Sequence, residues 1–308
     1  MDEKEAKRKE NSELREKKNI QTEERKNPGK EQKKNSENLD ISQIKNKILQ
    51  KIRESQKQKI SINGKEYIGT GISGLDALFL KGIPRGSSIL TTGGPGSGKT
   101  IFCLQTLYEA AKAGEKVYYI TLEENPAELK KHMQDFGWDI EKYEKSGNFL
   151  IKKFTPADIT RQIDAMIEKK QGELLIDLKP LIIPEGFKPD RIAVDSLSAV
   201  SCALIGKDTN YRTYIEELFN LFKEMRSTTF FICEAQDPTQ KLSISGAEEF
   251  LADGVFIFYN IKHGSVRESA FEILKMRGSG FNKKIVPLRI KAGEGIIIYP
   301  EQEVFTII

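Results

Sequence analysis

Short apolar runs alternate with amphipathic helical segments through most of the chain after Ile60. The runs predicted as strands are Ser88–Thr92, Val117–Leu122, Phe149–Phe154, Ile192–Val194 and Thr229–Cys233. The segments predicted as helices are Lys99–Ala113, Glu128–Phe136, Ile159–Lys170 and Asn210–Arg226. Strands and helices that alternate in this order are typical of a mainly parallel sheet with helices packed on both faces.

The C-terminal part follows a different pattern, because its apolar runs succeed one another without helical segments between them. The strands predicted there are Val255–Asn260, Ala270–Met276, Val286–Ile290 and Gly295–Tyr299. Runs of short strands joined by turns predict a β-rich end to the domain. The fold class expected from the whole pattern is α/β, with a mainly parallel sheet, helices on both faces and a β-rich C-terminal part.

The first 60 residues differ in composition from the rest of the chain. They contain 18 basic and 12 acidic side chains and no aromatic residue, which leaves 31 basic and 33 acidic side chains for the remainder. Residues 1 to about 38 are too polar to offset the entropy of ordering, so we expect them to be disordered. Further on, Ile41, Ile44, Ile48 and Ile52 fall on one stripe of a short amphipathic helix. We therefore expect a charged, mostly disordered tail over residues 1–60 and one domain over residues 61–308.

The distribution of charge narrows the classes of function. The formal net charge of +4 derives from the tail, and the remainder is close to neutral. A solvated tail and a tail that binds nucleic acid or an acidic partner both remain open. No apolar run approaches the length of about 18 residues that a membrane span needs, and the N-terminus lacks the apolar segment of a secretory signal. We expect a cytoplasmic protein with no membrane insertion.

Cysteine and histidine give little support for metal, disulfide or triad chemistry. Cys103, Cys202 and Cys233 are far apart and lie in apolar runs, so we expect all three to be buried and chemically inert. His132 and His263 are not spaced with carboxylates in a metal-ligand pattern.

Residues 93–100 form a phosphate-binding pattern between a predicted strand and a predicted helix. They read Gly-Gly-Pro-Gly-Ser-Gly-Lys-Thr and match G-x-x-x-x-G-K-[ST], the P-loop. Glycines let the backbone N–H groups approach phosphate, and the helix N-terminus adds positive potential. Lys99 is expected to reach the β- and γ-phosphates, and the Thr100 hydroxyl to bind Mg²⁺. The residues predicted to bind ATP are Gly93, Gly94, Pro95, Gly96, Ser97, Gly98, Lys99, Thr100 and Ile101. A glycine-rich turn without a ligand is the alternative.

Acidic residues follow two of the predicted strands. Asp195 ends the short buried run that starts at Arg191, and it is the expected acidic partner of the magnesium site. Glu123 and Glu124 follow the strand Val117–Leu122, where a carboxylate could orient and deprotonate an attacking water. Two adjacent glutamates could equally form a solvated turn, and only their pairing with a nucleotide site favours a catalytic role.

Several motifs, taken together and in order, resemble the KaiC domain of the RecA superfamily. They are Thr70-Gly71-Ile72-Ser73-Gly74-Leu75-Asp76, the P-loop, Glu123-Glu124, Phe136-Gly137-Trp138-Asp139, Asp195-Ser196-Leu197, Gly246-Ala247-Glu248-Glu249-Phe250 and Lys275-Met276-Arg277-Gly278. The resemblance covers about Ile68 to Pro300. It implies a RecA-like P-loop NTPase core that assembles into a ring, commonly hexameric, with ATP and Mg²⁺ between subunits.

The same resemblance assigns roles near the C-terminus. It implies that Lys275 and Arg277 reach the phosphates bound by the neighbouring subunit and spread transition-state charge. Spacing alone instead favours outward-facing charges on a strand. Glu249 and Phe250 occupy the positions of the phosphorylated Ser-Thr pair in the second repeat of the clock protein, so the chain resembles its first, ATPase-type repeat. It differs from both repeats in a stretch over roughly Gly172–Asp190, and it resembles the single-domain relatives that are frequent in archaea.

Three classes of function follow from these features. The leading hypothesis is a magnesium-dependent ATPase whose ring has a regulatory role or acts on other proteins. A recombinase-like ATPase that binds nucleic acid is favoured by the basic tail but not by the near-neutral body. An ATP-binding scaffold with little turnover is the third class, and the presence of Glu123, Glu124 and Asp195 argues against it.

Overall fold

The order of the elements is that of a wound sheet in which helices separate the parallel strands. The structure is a computed structural model, and it describes residues 66–171, 182–204, 211–235, 238, 241–243, 245–263 and 265–304. The tail predicted over residues 1–60, with its amphipathic stripe, lies outside the described residues, as does the first part (172–181) of the stretch that differs from the clock repeats. Within the described part, no helix combines the length and the apolar composition that a membrane span requires.

The strands and helices of the described part are numbered in chain order. The strands are β1 (Tyr67–Ile68), β2 (Ile83–Pro84), β3 (Ser88–Gly93), β4 (Val117–Thr121), β5 (Phe149–Lys153), β6 (Arg191–Asp195), β7 (Thr228–Glu234), β8 (Gly254–His263), β9 (Val266–Met276), β10 (Ile285–Lys291) and β11 (Gly295–Ile298). The helices are α1 (Lys99–Lys112), α2 (Pro126–Asp135), α3 (Glu141–Lys145), α4 (Pro156–Gln171), α5 (Leu197–Leu204), α6 (Tyr211–Glu224) and α7 (Glu248–Leu251).

One nine-stranded sheet organises the domain, in the order β11-β10-β9-β8-β3-β7-β6-β4-β5. The pairs from β8 through β3, β7, β6 and β4 to β5 are all parallel. The pairs β8–β9, β9–β10 and β10–β11 are antiparallel. The sheet is therefore parallel where strands alternate with helices and antiparallel in the β-rich C-terminal part, which confirms the α/β prediction.

Side chains along each strand alternate between two hydrophobic cores on opposite faces of the sheet. On β3, Ile89 belongs to one core and Leu90 to the other. Phe102 of α1 and Leu129 of α2 fill the first core, while Phe219 of α6 packs in the second. Each such side chain contributes roughly 1.5–3 kcal/mol when it leaves water, so helices on both faces stabilise the sheet.

Three short helices are absent from the elements that the sequence pattern predicts. α3 and α7 have only five and four residues, too few to show a helical period. α5 is apolar or small at almost every position, so it has no polar face that would distinguish it from a buried strand. The two-residue strands β1 and β2 are also absent from the prediction, and the bounds of the predicted elements differ from the observed ones by a few residues at each end.

The prediction that all three cysteines are buried is wrong for Cys202. Cys103 and Cys233 are buried, but Cys202 is exposed. Helix α5 buries Leu197 and Val200 in the core and turns the opposite side, with Cys202, toward solvent. Cys202 is exposed because its apolar run forms a helix, and only one side of that helix faces the core.

Candidate active site

The carboxyl ends of the parallel strands lie together at one edge of the sheet. The register pairs Gly93 of β3 with Glu234 of β7, and Thr121 of β4 with Asp195 of β6. In open α/β sheets, ligands bind in the crevice outside this edge. The residues that follow these strand ends are therefore brought to one place although they are far apart in the sequence.

The P-loop lies between the end of β3 and the start of α1, as the sequence predicts. A Cβ atom on Gly93 would lie 2.4 Å from the carbonyl oxygen of Phe258, so only glycine fits there. Gly98 adopts a φ of 100° directly before α1, and a Cβ atom on it would lie 3.0 Å from Cδ1 of Ile290. Close packing against β8 and β10 therefore fixes the loop and its glycines.

Lys99 folds back over the loop. Its Nζ donates hydrogen bonds to the carbonyl oxygens of Gly93 at 2.9 Å and Gly94 at 2.8 Å. Burial of the ammonium lowers the pKa of Lys99, and the negative charges of Glu234 and Asp195 partly oppose that shift. The ammonium is therefore held at the centre of the loop, where it could exchange carbonyl contacts for phosphate oxygens.

Thr100 and Asp195 contact each other directly. Thr100 Oγ1 donates to Asp195 Oδ2 at 2.9 Å, and the hydroxyl of Tyr119 donates to the same oxygen at 2.5 Å. Burial raises the pKa of Asp195, although the two hydroxyl donors lower it, and the nearby charge of Glu123 raises it further. A cation beside this carboxylate would favour its charged form.

The oxygens of Thr100 and Asp195 suit Mg²⁺, which prefers oxygen ligands and takes one or two of them from protein and the rest from phosphate and water. Within the described ranges, no group of three or more His, Cys, Asp or Glu side chains is arranged to hold a metal ion by itself. The pair therefore fits a magnesium ion that arrives with a nucleotide. It does not resemble a site that retains a resident metal without one.

Glu123 and Glu124 lie beside this pair, in the turn between β4 and α2. The hydroxyl of Ser196 donates a short hydrogen bond to Glu123 Oε1. Glu124 Oε2 lies 3.6 Å from Nδ1 of His132 on α2. Ser196 thus orients the Glu123 carboxylate, and His132 lies beside that of Glu124.

The turn that carries the two glutamates is fixed at both ends. Thr121 Oγ1 donates to the carbonyl of Glu124 at 2.9 Å. At the other end, Asn125 caps α2, because its side chain accepts the N–H of Ala127 at 3.0 Å, and Pro126 takes the first helical position. The start of α2 therefore holds the carboxylates at the edge of the sheet.

These groups surround one cavity of about 270 Å³. Its lining residues are Pro95, Gly96, Gly98, Lys99, Thr100, Ile101, Glu123, Glu124, Asp195, Ile232 and Glu234. Of the residues predicted to bind ATP, Gly93, Gly94 and Ser97 are not among the lining residues. Gly93 and Gly94 instead offer their carbonyls to Lys99, while the Ser97 hydroxyl is buried without a hydrogen-bond partner among the described residues.

Glu234 is a member of this cavity that the sequence reasoning missed. It follows the buried part of β7, just as Asp195 ends β6, so the same argument from strand ends could have identified it. Its N–H donates to the Ser198 hydroxyl at 2.8 Å, which fixes its backbone against α5. With Glu234, the cavity contains four carboxylates and a single ammonium among its described lining residues.

Lys275 and Arg277 lie at the opposite edge of the sheet. Met276, between them, pairs with Gly254 of β8, and Gly254 pairs with Ile89 near the start of β3. The P-loop follows the other end of β3, about 13 Å away along the strand at ~3.3 Å per residue. Within one chain, these two cations are therefore not brought to the cavity.

Comparison with known proteins places these features in a family context. The chain matches the family model "ATPase: KaiC" over residues 68–303. The circadian clock protein KaiC3 of Synechocystis is 34% identical over 77% of this chain and 46% of that protein. A UPF0273 protein of Aeropyrum pernix is 32% identical over 76% of this chain and 94% of that protein.

A solved structure gives the same result for the fold. The crystal structure of a KaiC-like protein from Pyrococcus horikoshii is similar with a TM-score of 0.60 and 32% identity, over 76% of this chain and 99% of that chain. The match therefore spans less than half of the clock protein, but nearly all of the Aeropyrum protein and of the Pyrococcus chain.

We expect Lys99→Ala to lower the affinity for ATP by at least about tenfold, or about 1.4 kcal/mol, because it removes the ammonium aimed at the β- and γ-phosphate oxygens. Isothermal titration calorimetry measures this directly. Lys112→Ala, at the far end of the same helix, is the matched control, since Lys112 pairs with Glu109 on the surface. Unchanged ATP binding by Lys99→Ala would show that the loop is not the nucleotide site.

Proposed function

This chain belongs to the KaiC ATPase family, and we propose on that basis that it is a magnesium-dependent ATPase that works as an assembly of copies with ATP bound between neighbours. One observation supports the chemistry most strongly. The P-loop ammonium, the Thr100–Asp195 pair and two adjacent glutamates line a single cavity at the carboxyl edge of the sheet. This combination provides for phosphate binding, metal binding and activation of water.

The P-loop binds the phosphates in this proposal. Lys99 exchanges its bonds to the Gly93 and Gly94 carbonyls for the β- and γ-phosphate oxygens. Backbone N–H groups at the start of α1 add further donors and a positive potential. Thr100 and Asp195 hold Mg²⁺, which when bound neutralises charge on the β- and γ-phosphate oxygens.

Hydrolysis requires a group that orients water on the far side of the γ-phosphate. The oxygen of that water attacks the γ-phosphorus, the bond to the β–γ bridging oxygen breaks, and a proton passes to Glu123 or Glu124. Ser196 orients Glu123, while His132 lies beside Glu124. Both carboxylates line the cavity, so the two share this role in the proposal.

Charge balance supports an assembly of copies. Four carboxylates and one ammonium line the cavity, so phosphate groups bound there need further positive charge besides magnesium. Lys275 and Arg277 could supply it, but within one chain they lie at the other edge of the sheet. A neighbouring copy that turns this edge toward the cavity would complete the site.

Further properties of the assembly and its partners stay predictions. They are the hexameric number of copies, an unidentified protein partner on which the ring acts, and a cytoplasmic location. Nucleic-acid binding through residues 1–60 is also a prediction, because that segment lies outside the described residues.

Replacing both glutamates with glutamine should preserve binding and remove the base. We expect Glu123→Gln/Glu124→Gln to bind ATP normally but to release phosphate on the order of a hundredfold more slowly. Glu128→Gln, on the exposed first turn of α2, is the matched control and should keep the wild-type rate. Normal turnover by the double variant would exclude the glutamates as the base. A wild-type protein that binds ATP without measurable turnover would instead favour a scaffold.

Mixed assemblies test whether the cations act on a neighbour's nucleotide. Arg277→Ala and Glu123→Gln/Glu124→Gln are each expected to be nearly inactive alone. Because a mixed assembly contains interfaces with one intact cavity and one intact Arg277, its ATP turnover should exceed the sum of the two separate proteins. Light scattering and energy transfer between labelled subunits confirm that mixing has occurred. Activity no greater than the sum, in verified mixed assemblies, would contradict action between copies.

A further inference from the structure

Short helix α7 holds the cations that the proposed function assigns to a neighbouring site. Lys275 Nζ donates to the carbonyls of Glu249 at 2.9 Å, Phe250 at 3.3 Å and Ala252 at 2.6 Å. Arg277 Nη2 donates to the carbonyl of Phe250 at 3.0 Å. Helix α7 therefore contributes to the direction of both cations, and Arg277 also pairs with Asp253, whose Oδ1 lies 3.5 Å from its Nη1.

The orientation of α7 is in turn fixed by a buried carboxylate at its first residue. Glu248 is completely buried, and its Oε1 accepts the Tyr211 hydroxyl at 2.6 Å. Its Oε2 accepts the hydroxyls of Ser243 at 2.9 Å and Ser245 at 2.6 Å. Burial would raise the pKa of Glu248, but hydrogen bonds led by those of Ser245 and Tyr211 outweigh it and lower the pKa. Glu248 is thus held as a charged acceptor of the Tyr211 and Ser245 hydroxyls, while the Ser243 hydroxyl is shared between Glu248 and Glu249.

Tyr211 joins this carboxylate to a helix that begins at the nucleotide cavity. The Tyr211 hydroxyl shares a short hydrogen bond with Ser201 of α5. Helix α5 starts directly after Asp195 and Ser196, and its Ser198 hydroxyl accepts the N–H of Glu234 at 2.8 Å. A continuous set of contacts therefore leads from one chain's own cavity through α5 to α7 and the two cations.

We propose that Tyr211 and Glu248 are positioning residues that aim Lys275 and Arg277 at the nucleotide of a neighbouring copy. Neither residue touches the nucleotide of its own chain in this account. They act through α7, whose carbonyls hold the two cations. The inference rests on the proposed function, because it needs the cations to serve a second copy.

A purely stabilising role is the competing explanation, and the chemistry of the site disfavours it. Replacing buried charged groups with well-packed apolar residues often leaves the stability of a protein unchanged or raises it. A buried glutamate such as Glu248 is therefore a poor way to gain stability alone. Hydrogen bonds from the Tyr211 and Ser245 hydroxyls, together with the shared Ser243 hydroxyl, instead restrict the position and orientation of the Glu248 carboxylate. Misplacement of a catalytic group by about 1 Å can cost as much as a hundredfold in rate.

The variant Tyr211→Phe tests the inference with the smallest change, because it removes one hydroxyl and keeps the ring. We expect ATP affinity by calorimetry to stay within about twofold of wild type, while turnover falls on the order of tenfold. Tyr118→Phe is the matched control, since the Tyr118 hydroxyl is also buried and donates to the carbonyl of Ile182 at 2.8 Å. Tyr118 lies on β4, which four strands separate from the β9 strand that carries Lys275. The control variant should lose a similar amount of thermal stability and keep its turnover.

Mixing experiments identify the side of the interface on which Tyr211 acts. Tyr211→Phe mixed with Glu123→Gln/Glu124→Gln should recover activity above the sum, because the double variant supplies properly aimed cations. Tyr211→Phe mixed with Arg277→Ala should show no recovery, since both lack the same function. Glu248→Gln should behave as Tyr211→Phe does, which gives a second variant if the first is unstable.

The outcomes separate this inference from the function on which it rests. If Arg277→Ala with the double variant shows no recovery, action between copies is wrong and the inference falls with it. If that pair recovers but Tyr211→Phe either keeps wild-type turnover, loses ATP affinity or recovers with Arg277→Ala, the proposed function stands and the positioning role alone is overturned.

Discussion

Parallel pairing of β4, β6, β7 and β3 carries the carboxyl ends of four strands to one edge of the sheet, and every group of the candidate site is attached to one of those ends. Two hydrophobic cores, one on each face, hold the strands in this register. A slip of one residue would turn each strand's core side chains to the wrong face, so the register is strongly specified. The distance between the Thr100 hydroxyl and the Asp195 carboxylate is therefore a consequence of packing far from the site.

The same register leaves the cavity of a single chain without the cations Lys275 and Arg277. Because β9 runs antiparallel to β8, it carries Lys275 and Arg277 to the edge where the parallel strands begin. Each copy has an acidic cavity at one edge of its sheet and a pair of cations at the other. The cationic edge of one copy therefore complements the acidic edge of the next copy. Head-to-tail contacts of this kind generate a ring when the rotation between successive copies closes on itself. The charges of the cavity and the directions of the strands thus both favour a head-to-tail assembly of copies.

The sequence predicts those parts of the site that depend on local pattern or on strand ends. The P-loop is a contiguous motif, while Asp195, Glu123 and Glu124 follow apolar runs whose parallel arrangement is readable from the helices between them. Glu234 also follows a buried strand, so the same argument from strand ends could have predicted it. The Tyr211–Glu248 contact could not be predicted from the sequence, because 37 residues separate the pair and no period or motif connects them. The bonds from Lys275 to α7 depend on a four-residue helix that has no signature in the sequence.

Electron cryo-microscopy of the protein with Mg²⁺ and a non-hydrolysable ATP analogue would show whether ATP is bound between two copies of the chain. We predict that the γ-phosphate lies against Lys99 of one copy, with the Arg277 guanidinium of the next copy at a hydrogen-bonding distance of about 3 Å. A nucleotide that contacts residues of one copy alone, with Arg277 of every copy remote from phosphate, would exclude an ATP site between copies.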